Sequence, residues 1–150
     1  LSGGSVLSQL VIPVDVPRAH RDPINSATQA LSVFSLAIAR PLRPETLVLM
    51  MNHHHRGIGL FALNSGANLC TLIDHIVGKC AAENTARAVA IASVRPQRQS
   101  QPQGDSEWTN ARKICQRAGL QLVDWFVVSR HEVHRPRLVA REPSEWHSQN

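Results

Sequence analysis

His53-His54-His55 is the densest group of potential metal ligands in the chain. Neutral imidazole binds zinc well. Consecutive strand residues point to opposite faces, so three in a row converge poorly on one ion, and a solvated hairpin tip is the competing reading. A tip relaxes that constraint, which leaves a metal at this turn open. Asp74-His75 joins a carboxylate to an imidazole on a helical stretch, but His75 lies off the apolar stripe, as a surface residue does. Nucleophilic catalysis would need Ser or Cys beside a His and a carboxylate. Ser93 and Cys115 are available, yet no spacing selects a triad. No nucleophile elbow, Walker loop or dinucleotide fingerprint is present. Cys70, Cys80 and Cys115 are an odd set without a C-x-x-C pair. Cys80 and Cys115 fall on apolar helix faces, so free thiols in a reducing compartment are expected and a structural zinc site is not.

The basic residues suggest a second kind of chemistry. Sixteen Lys plus Arg against 11 Asp plus Glu give a formal net charge of +5, with lysine only at 79 and 113. Arginine forks suit phosphate and carboxylate. Arg95 and Arg98 lie in a loop, Arg95 to Gly104, that holds no acid. Arg130, Arg135, Arg137 and Arg141, with His131 and His134, form a second basic stretch. Arg95, Arg98, Arg130, Arg135 and Arg137 are therefore the candidate nucleic-acid contacts. The competing reading of the second stretch is a solvated edge strand, with Arg135 and Arg137 on one face blocking unwanted pairing. Trp125 sits in an apolar run and reads as core rather than as a stacking platform.

These residues need a scaffold. With 150 residues, 43% of them hydrophobic, the chain can bury one domain's core; with aromatics at 4% and no Tyr, that core rests on Leu, Ile, Val and Ala. No apolar run reaches a membrane span, and the first residues do not read as a signal peptide. Residues 1–21 read as an extended arm, with Leu10 to Val16 a candidate for pairing at a sheet edge. Ala27, Ala30, Leu31, Phe34 and Ile38 recur at helical spacing, and Pro41 and Pro44 end that helix. Glu45 to Met51 and Gly57 to Leu63 read as a hairpin with the histidines at its tip. Leu72, Ile73, Ile76 and Cys80 mark a second helix. Arg87 to Val94 reads as a strand buried on both faces. Trp108, Ala111 and Cys115 line a third helix that Asp105 or Ser106 can cap and Gly119 closes. Leu120 to Val128 is a fourth strand and Val133 to Ala140 a fifth. Residues 143–150 read as a flexible tail, to which Trp146 could add a docking point. Strands alternating with helices after a first hairpin predict an α/β domain over 22–142 with a mixed sheet covered by helices.

Certain residues in this order resemble the RadC-like branch of the JAMM/MPN metallopeptidase fold, which is cytidine-deaminase-like. The stretch Glu45-Thr-Leu-Val-Leu-Met-Met-Asn52 looks like the family's first strand. Gly66 stands where the family has a Gly after the second, and Ala86 to Ala92 looks like the strand that leads into its H-x-H-P motif. Asp105-Ser-Glu-Trp-Thr109, Ala118-Gly-Leu120 and Leu122-Val-Asp-Trp-Phe-Val-Val128 look like its D-x-x-x-T helix and following strand. The resemblance implies a zinc held by two histidines and an Asp, a Glu as general base, and a Ser steadying the oxyanion. Glu45 and Asp105 fall near the required places. Where H-x-H-P belongs the chain reads Ser93-Val94-Arg95-Pro96, and Pro102 replaces the Ser. A guanidinium has no lone pair to offer a metal.

The expectation is a vestigial site of Glu45, Ser93, Arg95 and Asp105 with no metal and no cofactor, Arg95 pairing with Glu45 or Asp105. The domain would be a non-catalytic binding or assembly module, cytoplasmic, away from membranes, with a protein or nucleic-acid partner. A nucleic-acid-associated protein linked to DNA repair is the alternative that the RadC label implies. An atypical metal-dependent hydrolase is the third reading.

Overall fold

The computed structural model describes residues 16–64, 69–97 and 104–146. The first helix, α1 (Ala27–Ala37), starts at Ser26, whose hydroxyl accepts the Gln29 N–H; Gln29 in turn accepts the Asn25 N–H at 2.7 Å. Reciprocal capping of this kind satisfies donors that the first turn leaves open. Ala27, Ala30, Leu31 and Phe34 form its buried stripe. Strands β1 (Glu45–Met51) and β2 (Gly57–Leu63) follow as an antiparallel hairpin. Then come α2 (Leu69–Ala82), β3 (Ala88–Val94), α3 (Gly104–Arg117), β4 (Gln121–Val128), β5 (Val133–His134) and a single turn, α4 (Pro136–Val139).

The five strands form one mixed sheet in the order β2-β1-β3-β4-β5. β1 runs antiparallel to β2 and β3, β3 parallel to β4, and β4 antiparallel to β5. Helices cover both faces. Leu47, Leu49, the alanine row Ala88, Ala90 and Ala92, and Phe126 pack with Phe34 of α1 on one face. Val48, Val89, Ile91 and Trp125 pack with Ile73 and Ile76 of α2 and Trp108 and Cys115 of α3 on the other. Every residue of β3 is buried, as its unbroken apolar run requires. The expected α/β architecture is thus present. None of the described helices is long and apolar enough to cross a membrane.

The C-terminal part departs from expectation. The run 133–140 is not one strand: β5 has two residues, and Pro136 then opens α4 with Arg135 at its N-cap. Proline's fixed φ and missing N–H suit the first helical position as well as a strand edge. The segment expected to be loose is packed as far as Trp146, which is 5% exposed. The expected pairing of Leu10 to Val16 lies outside the described residues except at Val16, and so does Gly66.

Candidate functional site

Register places Glu45, Val94 and Val128 side by side across β1, β3 and β4. Glu45, Ser93 and Arg95 therefore come from one edge of the sheet. They do not share one pocket. Glu45 pairs with Val94 and Thr46 with Ser93. Cross-strand partners share a face and chain neighbours alternate, so Glu45 and Ser93 point to opposite faces. Glu45, 2% exposed, accepts the Ala39 N–H at 3.0 Å and so secures the exit from α1. Ser93, wholly buried, accepts the Trp125 indole N–H at 2.9 Å. Arg95 is half-buried, and its backbone N–H donates to the Val128 carbonyl at 2.7 Å, prolonging the β3–β4 ladder. Asp105 stands in the first turn of α3, its side chain outside the described part of the structure. Arg98 and Pro102 also lie outside it.

The strongest polar cluster is one that the sequence reading did not assemble. Between β3 and β4 the register slips, so that Val89 faces Leu122 while Ala90 faces Asp124, leaving Val123 as an extra residue. Such a bulge re-aims the side chains beside it. Asp124 is fully buried. Its Oδ1 accepts the Trp125 N–H at 2.9 Å. Its Oδ2 accepts Arg135 Nη2 at 3.2 Å and Trp146 Nε1 at 2.8 Å, and lies 3.3 Å from Arg137 Nε in an ion pair. Arg137, 3% exposed, also donates to the Glu142 carbonyl, and Arg135 lies over the Phe126 ring. The two arginines expected on a solvated or phosphate-gripping strand face thus turn inward. The usable signal was Asp124 itself, since a carboxylate inside an apolar strand must be paired to be tolerated.

The three histidines diverge. His53 and His54 are exposed, with ring centroids 3.8 Å apart. His55 adopts φ 59° and turns inward, its Nε2 3.2 Å from Gln121 Oε1 and its ring edge-on to Trp146. Among the described residues, no group of three or more His, Cys, Asp and Glu side chains is placed to hold a metal. Beyond His55 the polar chain continues: Gln121 donates to Glu145 at 2.7 Å, and Arg112 pairs with Glu142 at 3.1 Å and Glu145 at 3.7 Å. Arg112, Gln121 and Glu145 of this network line a concavity of about 270 Å³ with Arg87 and Gln116. A neighbouring one of about 380 Å³, lined by Cys80, Glu83, Arg87 and Leu120, completes a depression at the starts of β3 and β4, the end of the sheet opposite Glu45.

The cysteines are free thiols, as expected. Burial pushes Cys80 up to about 11; burial, then the nearby Cys80, pushes Cys115 up to about 12; burial and then Glu107 raise Cys70. Neither concavity therefore holds an activated thiolate. At pH 8, Cys80 should alkylate roughly 200-fold and Cys115 roughly 2,000-fold more slowly in the folded chain than in guanidinium, because the thiolate fraction falls that far below that of an unfolded thiol near 8.5. Raised thiol pKa values contribute stability that is full below the unfolded pKa of about 8.5 and lost as pH rises toward 11 and 12. Peptide mapping after timed iodoacetamide labelling reads the first effect; labelling of both residues at the unfolded rate would contradict it. No family model and no curated protein matches this sequence.

Proposed function

We propose that this chain is a non-catalytic domain of the RadC-like JAMM/MPN type that acts as a binding or assembly module. Its mixed sheet with helices on both faces is the architecture that the resemblance implies. The observation that carries the reading is Ser93. It stands where the first metal-binding histidine belongs, its hydroxyl engaged by the Trp125 indole, on the face opposite the Glu45 carboxylate. Arg95, where the second histidine belongs, brings a positive charge instead of a lone pair. Serine, arginine and a carboxylate committed to the Ala39 N–H do not fit a zinc cage.

Elemental analysis of protein purified without chelators or a metal-affinity column tests this, together with peptidase and isopeptidase assays in added zinc. Substoichiometric zinc and no turnover are expected. Stoichiometric zinc that survives dialysis and is lost in Asp105→Ala would overturn the proposal.

A further inference from the structure

β2 is the outermost strand of the sheet, and its sequence, GIGLFAL, carries no charge and no proline. An apolar edge of that kind is open to pairing with another chain, and proteins cover or charge such edges. The register puts Leu60 opposite Leu49, on the face that α1 covers farther in. Leu60 is nevertheless 38% exposed, and Ala62, two residues on along the same face, is exposed as well. Among the described residues, the one backbone bond that reaches β2 from outside β1 is that of the His20 N–H to the Gly57 carbonyl, at 2.8 Å.

That bond belongs to the segment in which the described chain starts. The Ile24 N–H donates to the His55 carbonyl at 2.8 Å, and Pro23 forms an antiparallel bridge with Arg56. Followed back from Ile24 to His20, the contacts therefore advance from His55 to Gly57, toward β2. The turn between them is closed by the Arg18 carbonyl, which accepts the Arg21 and Asp22 N–H groups, and by the Arg18–Asp22 ion pair at 2.9 Å. Pro17 and Ala19 then line an apolar groove of about 150 Å³ with Leu49, Gly59 and Leu60. The residues that lead into Pro17 are Leu10-Val-Ile-Pro-Val-Asp-Val16, four of the seven β-branched, as suits a pleated strand. Seven extended residues reach about 24 Å, and the five from Gly59 to Leu63 need about 17 Å.

We infer that residues 10–15 add to the outer edge of β2 as a sixth, antiparallel strand. The direction is that of the Pro23–Arg56 bridge, and the groove beside Pro17 and Ala19 is where the pairing begins. Pro13 and Asp15 then mark the new edge of the sheet, where a missing N–H and a charge stop further pairing. The arm is thus what keeps β2 from pairing with another chain. This inference is independent of the non-catalytic reading, since no part of it concerns the Glu45 end of the sheet.

Hydrogen exchange of the whole chain, read by mass spectrometry on fragments covering β2 and β3, is the test. Ladder amides alternate in direction, so about two or three amides of β2 point away from β1 and should exchange slowly in the parent chain. Val11→Pro with Val14→Pro removes a donor at both parities of the arm, so one of the two faces β2 in either register. In that variant the outward amides of β2 should exchange at least about tenfold faster, while β3 stays within about twofold of the parent. Val11→Thr with Val14→Thr keeps both N–H groups and the strand propensity, and should retain the protection. Outward β2 amides that are already fast in the parent, or that stay slow in the proline variant, would overturn the inference. So would equal acceleration of β3, which marks a general loss of stability, or protection of β2 that rises with protein concentration, which marks a second copy on the edge in place of the arm.

Discussion

Replacing Asp124 with alanine is expected to cost the fold about 3–5 kcal/mol, the usual penalty for removing one partner of a buried ion pair. The carboxylate is fully buried and takes two arginines, the Trp146 indole and a backbone N–H. Its loss strands the guanidinium of Arg137, itself 3% exposed, without its counter-charge. A domain of this size has about 5–15 kcal/mol in total, so the variant should approach the threshold of unfolding. At about 2–4 °C per kcal/mol the midpoint should drop by about 10 °C. Asp124→Leu combined with Arg137→Leu should recover part of the loss, because the second change removes the uncompensated charge. Urea titration followed by far-ultraviolet circular dichroism measures the free energies, and a thermal melt followed by the same signal measures the midpoint. A single Asp124→Ala variant within 1 kcal/mol of the parent would show that the cluster does not hold the fold.

The parts of this fold that were legible in the sequence are those whose signals are local. Glu45–Met51 and Gly57–Leu63 are strands with the bounds that their apolar runs and the polar turn between them suggest. The unbroken run Ala88–Val94 announced a strand covered on both sides. The run 133–140 misled because Pro136 suits a strand edge and a helix start alike; what decides between them is the pull of Asp124 on Arg135 and Arg137, residues 11 and 13 positions away. The site was less legible than the fold for the same reason. Glu45 and Ser93 both belong to the predicted edge, but their faces follow from the pairing of Thr46 with Ser93, a register that neither strand encodes alone. The inward aim of Asp124 depends on the bulge at Val123, and nothing in Leu122-Val-Asp-Trp125 marks an inserted residue.

The second large effect is expected at Trp146, in a segment that reads as loose in sequence. Trp146 is 5% exposed and packs in the core cluster of Ile24, Phe34 and Phe126. Its indole donates to Asp124 at 2.8 Å, and its ring meets His55 edge-on at 6.0 Å. It thus ties the C-terminal segment to the hairpin tip and to the buried carboxylate at once. Trp146→Ala should cost about 3–5 kcal/mol, as buried aromatic truncations do. Trp146→Phe keeps most of the apolar contact and loses the hydrogen bond to a charged group, so a loss of about 1.5–3 kcal/mol is expected. Combined with Asp124→Asn, the Phe variant should give a coupling of at least 0.5 kcal/mol, because both changes act on one hydrogen bond. The chain has three tryptophans, so circular dichroism rather than fluorescence must follow unfolding, since each Trp variant alters the optical signal itself. A Trp146→Ala variant as stable as the parent would mean that the segment rests on the domain without holding it, and additive double-variant losses would mean that the hydrogen bond between Trp146 and Asp124 contributes nothing of its own.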